Sequence, residues 1–176
     1  TTLAGLTAAG TAGADLALTY DTITVTDATG GEPVLTLKNT NDDATGSTLK
    51  FLVDTDDSAA AGDTLGTLSF DGEDAGEAAT IYATITGGIV APTAGSERGA
   101  IRVNVAEYDS TLTTGLEIVG LASDGNITVD VKTHDGSAGG LMLAGTLVTA
   151  TAAELNLLDG VSGLVQADLT KLAAVD

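Results

Sequence analysis

A single histidine, His134, lies in the run Thr133-His134-Asp135-Gly136 of a chain that has no cysteine. Nucleophilic catalysis would have to use it, with Ser137 or Ser123 as nucleophile and Asp135 as the orienting acid. Such a triad converges side chains from separate elements, and neighbours in one turn rarely reach that geometry. No G-x-S-x-G elbow is present. The expectation is a loop histidine and no enzyme. Paired carboxylates could instead hydrolyse glycosidic bonds, which requires two carboxyls about 5 to 9 Å apart. Acidic residues are plentiful, at 25, but the aromatic rings that would stack on sugar are two Phe and three Tyr, with no Trp. A polysaccharide-cleaving spike is therefore disfavoured.

Two acidic runs offer hard oxygen ligands. Asp54, Asp56 and Asp57 fall within four residues, as do Asp71, Glu73 and Asp74. Ca²⁺ takes about 6 to 8 such oxygens. Neither run fits the EF-hand loop, which ends on a Glu. A solvated acidic turn is the preferred reading. Ca²⁺ in a loop or on a symmetry axis is the alternative, and no other cofactor is expected. Gly87-Gly88 and Gly139-Gly140 are followed by no G-K-[ST], so they are not phosphate loops. Arg98 and Arg102 are expected to pair with Glu97 or Glu107 rather than to bind a ligand.

The whole chain narrows the partners further. Its 176 residues carry a net charge of -19, which repels phosphate backbones and argues against nucleic acid. No apolar run reaches the roughly 18 residues that cross a bilayer, so no membrane insertion is expected. No basic segment precedes an apolar stretch, so no secretory signal is expected. With 43% hydrophobic residues and a mean hydropathy of +0.27, disorder is not expected either. The apolar residues are mostly Ala, Val, Leu and Ile, which bury little area each at about 25 cal/mol per Å². So thin a core is a first hint that other copies complete it. The first residue is Thr and the only Met is Met142, which suggests a piece of a longer chain.

These residues must be positioned by strands. Alternation of apolar and polar residues recurs at Thr22–Thr26, Leu35–Lys38, Leu49–Val53, Leu68–Phe70, Ile81–Ile85, Ile101–Val105, Leu116–Ile118 and Ile127–Lys132. Each reads as a strand with one apolar and one wet face. Ile101, Val103 and Val105 should line a buried face, and Asn104 the wet one. Turn signals separate the runs at Thr29-Gly30-Gly31, Asp71-Gly72, Asp74-Ala75-Gly76, Thr86-Gly87-Gly88, Asp124-Gly125-Asn126 and Asp135-Gly136. The pattern divides the chain into a β segment with acidic loops (1–62), a second β block (63–145) and short helical repeats (146–176).

In the last segment Thr151 and Glu154 have capping-box spacing. Leu155 and Leu158 share a helical face, and Asp159-Gly160 closes it. A second copy follows at an offset of 14 residues, with Asp168, Leu169 and Leu172 matching Glu154, Leu155 and Leu158. Helices this short are not stable alone in water. Packing of Leu155, Leu158, Leu169 and Leu172 around a three-fold axis is the expected solution.

The stretch TATAAELNLLDGVSGLVQADLTKLAAVD, residues 149 to 176, resembles a tandem repeat of the type T-A-x-E-L-N-x-L-D-G-V found in bacteriophage tail-fibre proteins. A looser likeness covers residues 64 to 131, through GTLSFDGEDAGE, IYATITGGIV, GSERGAIRVNV, LEIVG and GNITVDV. The resemblance implies a mostly β, elongated and interwoven homotrimeric fibre segment with short C-terminal helical turns. It implies a virion location, outside the cell, with other tail proteins as partners and a host surface receptor as a further candidate. Neither an aromatic-rich receptor-binding tip nor a chaperone or autocleavage segment is seen, so a shaft or connector is expected. The alternative is a secreted or cell-surface adhesin or filament repeat whose folding depends on Ca²⁺.

Overall fold

A computed structural model describes residues 22–31, 33–42, 44–54, 58–122 and 125–156. The chain divides into two units between Leu49 and Lys50. The described residues of the first unit form no helix or strand, and all are exposed. Local polar contacts shape them instead. The Asp27 carboxylate accepts the Thr29 N–H at 2.6 Å ahead of a turn at Gly30-Gly31. Asn39 accepts the Asn41 N–H and donates to the Thr45 carbonyl. The strands expected at Thr22–Thr26, Leu35–Lys38 and Leu49–Val53 are therefore absent. Alternation supplies a face for a strand, but a strand also needs a neighbour for its N–H and C=O groups, and these segments are paired with none.

The second unit is mostly β. Its main sheet joins β1 (Thr64–Glu73), β2 (Ala79–Ala91), β3 (Arg98–Ala106), β4 (Leu112–Gly120) and β5 (Ile127–Val131). The five strands lie in sequence order, each antiparallel to the next. A small hairpin of β6 (Met142–Leu143) and β7 (Thr146–Leu147) follows, then a short helix α1 (Ala152–Asn156). The expected strands at 68–70, 81–85, 101–105, 116–118 and 127–132 all fall within or along β1 to β5.

Two expected turns lie inside strands. Gly72 pairs with Thr80, while Gly87 and Gly88 pair with Ile101 and Ala100. Gly88 is used for close approach, since a Cβ there would stand 3.2 Å from the Asp63 carbonyl oxygen. The Asp74 turn forms where expected, its carboxylate accepting the N–H groups of Gly76 and Ala78. The β6–β7 hairpin turns on Ala144 and Gly145, both at positive φ, at 49° and 80°. That geometry belongs to a type I′ turn, for which Asn-Gly is the usual signal and Ala-Gly is not.

Four bulges adjust the register. Leu65 is an extra residue opposite Gly87-Gly88, Tyr82 opposite Phe70-Asp71, Val90 opposite Arg98-Gly99, and Gly115 opposite Val103-Asn104. The Gly115 bulge has the largest consequence. The turn after β3 places Thr114 opposite Asn104, and continued without a bulge it would set Leu116 opposite Arg102. The extra residue moves Leu116 to Val103 and Glu117 to Arg102, so each meets its own kind.

Candidate functional site

Cross-strand pairing stacks side chains into rows, because residues directly opposite point to the same side. One row is Leu68, Ile85, Val103, Leu116 and Val131. The next is Gly66, Gly87, Ile101, Ile118 and Val129. No residue in either row carries a charge or a polar side chain. The ring of Phe51 lies against this face at Gly66, where a Cβ would come within 2.6 Å of its Cγ. Beyond that, large side chains stay open to water: Leu68 is 42% exposed, Ile101 50%, Val105 53% and Val129 67%.

The opposite face is polar and tied together. Asn104 donates from Nδ2 to Thr84 Oγ1 at 2.9 Å and accepts the Thr114 hydroxyl at 2.6 Å. Beside it, Arg102 Nε donates to Glu117 at 2.8 Å, while Lys132 Nζ lies 2.7 Å from Glu117 and 2.9 Å from Asp130. The hydrogen bond from Lys132, then that from Arg102, holds the Glu117 carboxyl below its ordinary value. Glu117 and Asp130 in turn raise the Lys132 ammonium. The buried residues of the sheet, Thr84, Gly88 and Ala100, lie on this polar side.

The expectation of a buried Ile101, Val103 and Val105 is thus half met. The three share a face, but Ile101 and Val105 are exposed, because the described residues provide no second layer over them. Arg102 pairs with Glu117 rather than with Glu97 or Glu107. The strand alternation that puts Arg102 and Glu117 on polar positions was the signal for that pair, hidden by the Gly115 bulge.

His134 has a structural place. Its Nδ1 accepts the Leu141 N–H at 3.2 Å, so Nε2 carries the proton and donates to the Ala150 carbonyl at 3.1 Å. Both ring nitrogens are engaged by backbone, tying the β6–β7 hairpin to the start of α1. Asp135 Oδ1 accepts the N–H groups of Ser137, Ala138 and Gly139 at 2.8, 2.9 and 3.1 Å. Those bonds, that of Ala138 foremost, hold its carboxyl far below the usual range. Gly140, at φ +127°, lets the His134 ring pass where any side chain would collide. Ser123 lies outside the described residues.

The capping box forms as its spacing predicts. Glu154 Oε2 accepts from the N–H and hydroxyl of Thr151, each at 2.8 Å, and Thr151 Oγ1 accepts the Glu154 N–H at 3.3 Å. The Thr151 amide, then its hydroxyl, lowers the Glu154 carboxyl. Leu155 is 49% exposed and borders a hollow of about 430 Å³ with Val131, Leu141 and Val148. Leu158, Leu169 and Leu172 lie outside the described residues, as do Asp56 and Asp57. Asp54 is exposed. In the second acidic run, Asp71 accepts the Ser69 hydroxyl and Asp74 is occupied by its own turn. Among the described residues no three His, Asp or Glu side chains converge as a metal site. Nor is any described helix long and apolar enough to cross a membrane.

The feature with capacity for function is therefore a surface: an amphipathic sheet with its apolar side open. No family model, no curated protein and no solved structure matches this chain.

Proposed function

We propose that this chain is a shaft or connector segment of a bacteriophage tail fibre, a structural protein that acts as a homotrimer in the virion and supports attachment to the host cell. The observation that carries this reading is the five-stranded sheet with one polar, cross-linked face and one open apolar face. Such a sheet needs a second layer to bury its apolar side. In a fibre, other copies of the chain provide it. The likeness of residues 149 to 176 to tail-fibre repeats supports the same reading. So does the engagement of both His134 nitrogens by backbone, which fits a structural role.

Light scattering on the purified chain tests the assembly. The expected mass is about three times 17.3 kDa. A folded monomer at micromolar concentration overturns the proposal. For the location, an antibody raised against this segment should decorate tail fibres in electron micrographs of virions.

A further inference from the structure

We infer that the apolar side of the β1–β5 sheet is the surface through which copies of this chain meet, each helping to cover the Leu68–Val131 and Gly66–Val129 rows of the others. The inference rests on the fibre reading and goes beyond it by naming the rows of side chains that meet. Three observations select another copy as the occupant.

The first is charge. The chain carries -19, yet neither row contains an ionisable group, and Arg102, Glu117, Asp130 and Lys132 all lie on the other side. Two chains of the same strong charge approach at least electrostatic cost through uncharged surfaces. A basic partner would be drawn to the acidic surfaces instead.

The second is area. With the shorter row of Phe70, Ala83, Val105 and Thr113 beside the two already described, five strands spaced about 4.8 Å apart and three side-chain rows about 7 Å apart present a patch of about 500 Å². Three such patches turned toward a common axis remove about 1,500 Å², above the roughly 1,000 Å² that a specific interface needs.

The third is relief. Gly87, Gly99 and Gly120 line a hollow of about 550 Å³ together with Ile101, Ile118 and Ile127, and Glu97 and Arg98, of opposite charge, also border it. Glycine troughs beside isoleucine ridges allow two like faces to interdigitate, as packed sheets do.

The absence of cysteine gives a clean test, since one introduced thiol reports one position. Val129 and Thr128 are neighbours on β5, both exposed in the single chain, and they point to opposite faces. Val129→Cys and Thr128→Cys are each treated with a maleimide in the native assembly and again after denaturation. The expected result is an assembled mass for both variants, with Val129→Cys labelled at least tenfold more slowly than Thr128→Cys. If the chain assembles but Val129→Cys reacts as fast as Thr128→Cys, the face assignment is overturned and the fibre reading stands. If both variants and the parent chain are folded monomers, both readings fall.

Discussion

Asn104 alternates with Val103 and Val105, so the sequence places it on the wet face, where a change to Asp should be silent. Its bonds alter that expectation. Asn104 donates to Thr84 and accepts from Thr114, and Asp cannot donate when ionised. Asn104→Asp puts a part-buried carboxylate where Nδ2 donated, which the Thr84 hydroxyl can meet only by turning its own proton toward it, and should destabilise by about 1 kcal/mol. Thermal melts of the two proteins check this, and equal melting temperatures would contradict it. Asp135 gives a pH dependence of definite sign. Its folded pKa lies below the unfolded value of about 3.9, so the protein gains stability above that value. That stability is lost as pH falls below about 4 toward the folded pKa. Asp135→Asn removes this contribution, so the parent's advantage at pH 7 should shrink toward pH 2. Amide exchange at Ser137, Ala138 and Gly139, whose N–H groups the carboxylate holds, is the direct measure.

Among the elements, α1 tests how far a local signal carries. It has five described residues, too few to persist on helix propensity alone. The Thr151–Glu154 box and the His134 bond to Ala150 hold its first turn. Thr151→Ala should cost about 1 kcal/mol at that turn. It should also let the Glu154 carboxyl rise part of the way toward its ordinary value, since the amide of residue 151, the larger cause of the lowering, stays and only the hydroxyl is lost. An NMR titration of Glu154 in both proteins decides the point. The β3–β4 pair shows the opposite case. Val103 and Leu116 are recognisable as apolar positions, and Arg102 and Glu117 as polar ones. Their alignment depends on the single extra residue at Gly115, which sequence spacing does not announce.

For the molecule as a whole, the open sheet face changes what a core substitution means. In a closed domain, Val103→Asp would bury an unpaired charge and unfold the strand. Here Val103 is only half-buried and sits midway across an apolar row that is exposed at Leu68 and Ile85. The substitution should therefore act chiefly on assembly. We expect the mass of Val103→Asp to fall toward that of one chain while its far-UV circular dichroism keeps the β signal. Retention of the parent mass would show that this row lies outside the interface. Raising ionic strength should favour assembly of the parent chain, because repulsion between its acidic surfaces is screened within about 8 to 10 Å.

The strands from Leu68 to Val131, the amphipathic character of the sheet and the Thr151–Glu154 cap were all determined by sequence alone. Each follows from residues within a few positions of one another: alternation for strands, a hydroxyl and a carboxylate three apart for the cap. The tertiary structure decided whatever depended on a partner distant in the chain. Residues 22–26 and 35–38 alternate as well as β3 does, yet they have no paired edge and form no strand. Gly87 and Gly88 look like a turn, but neighbours on both sides extend β2 through them. Arg102 found Glu117 rather than Glu97 or Glu107 because pairing with β4 brought it there. Whether an apolar face is buried is likewise not a local property. Alternation fixes which residues share a face, while the layer that covers it must come from elsewhere, and the described part of this chain leaves Ile101, Val105 and Val129 open to receive one.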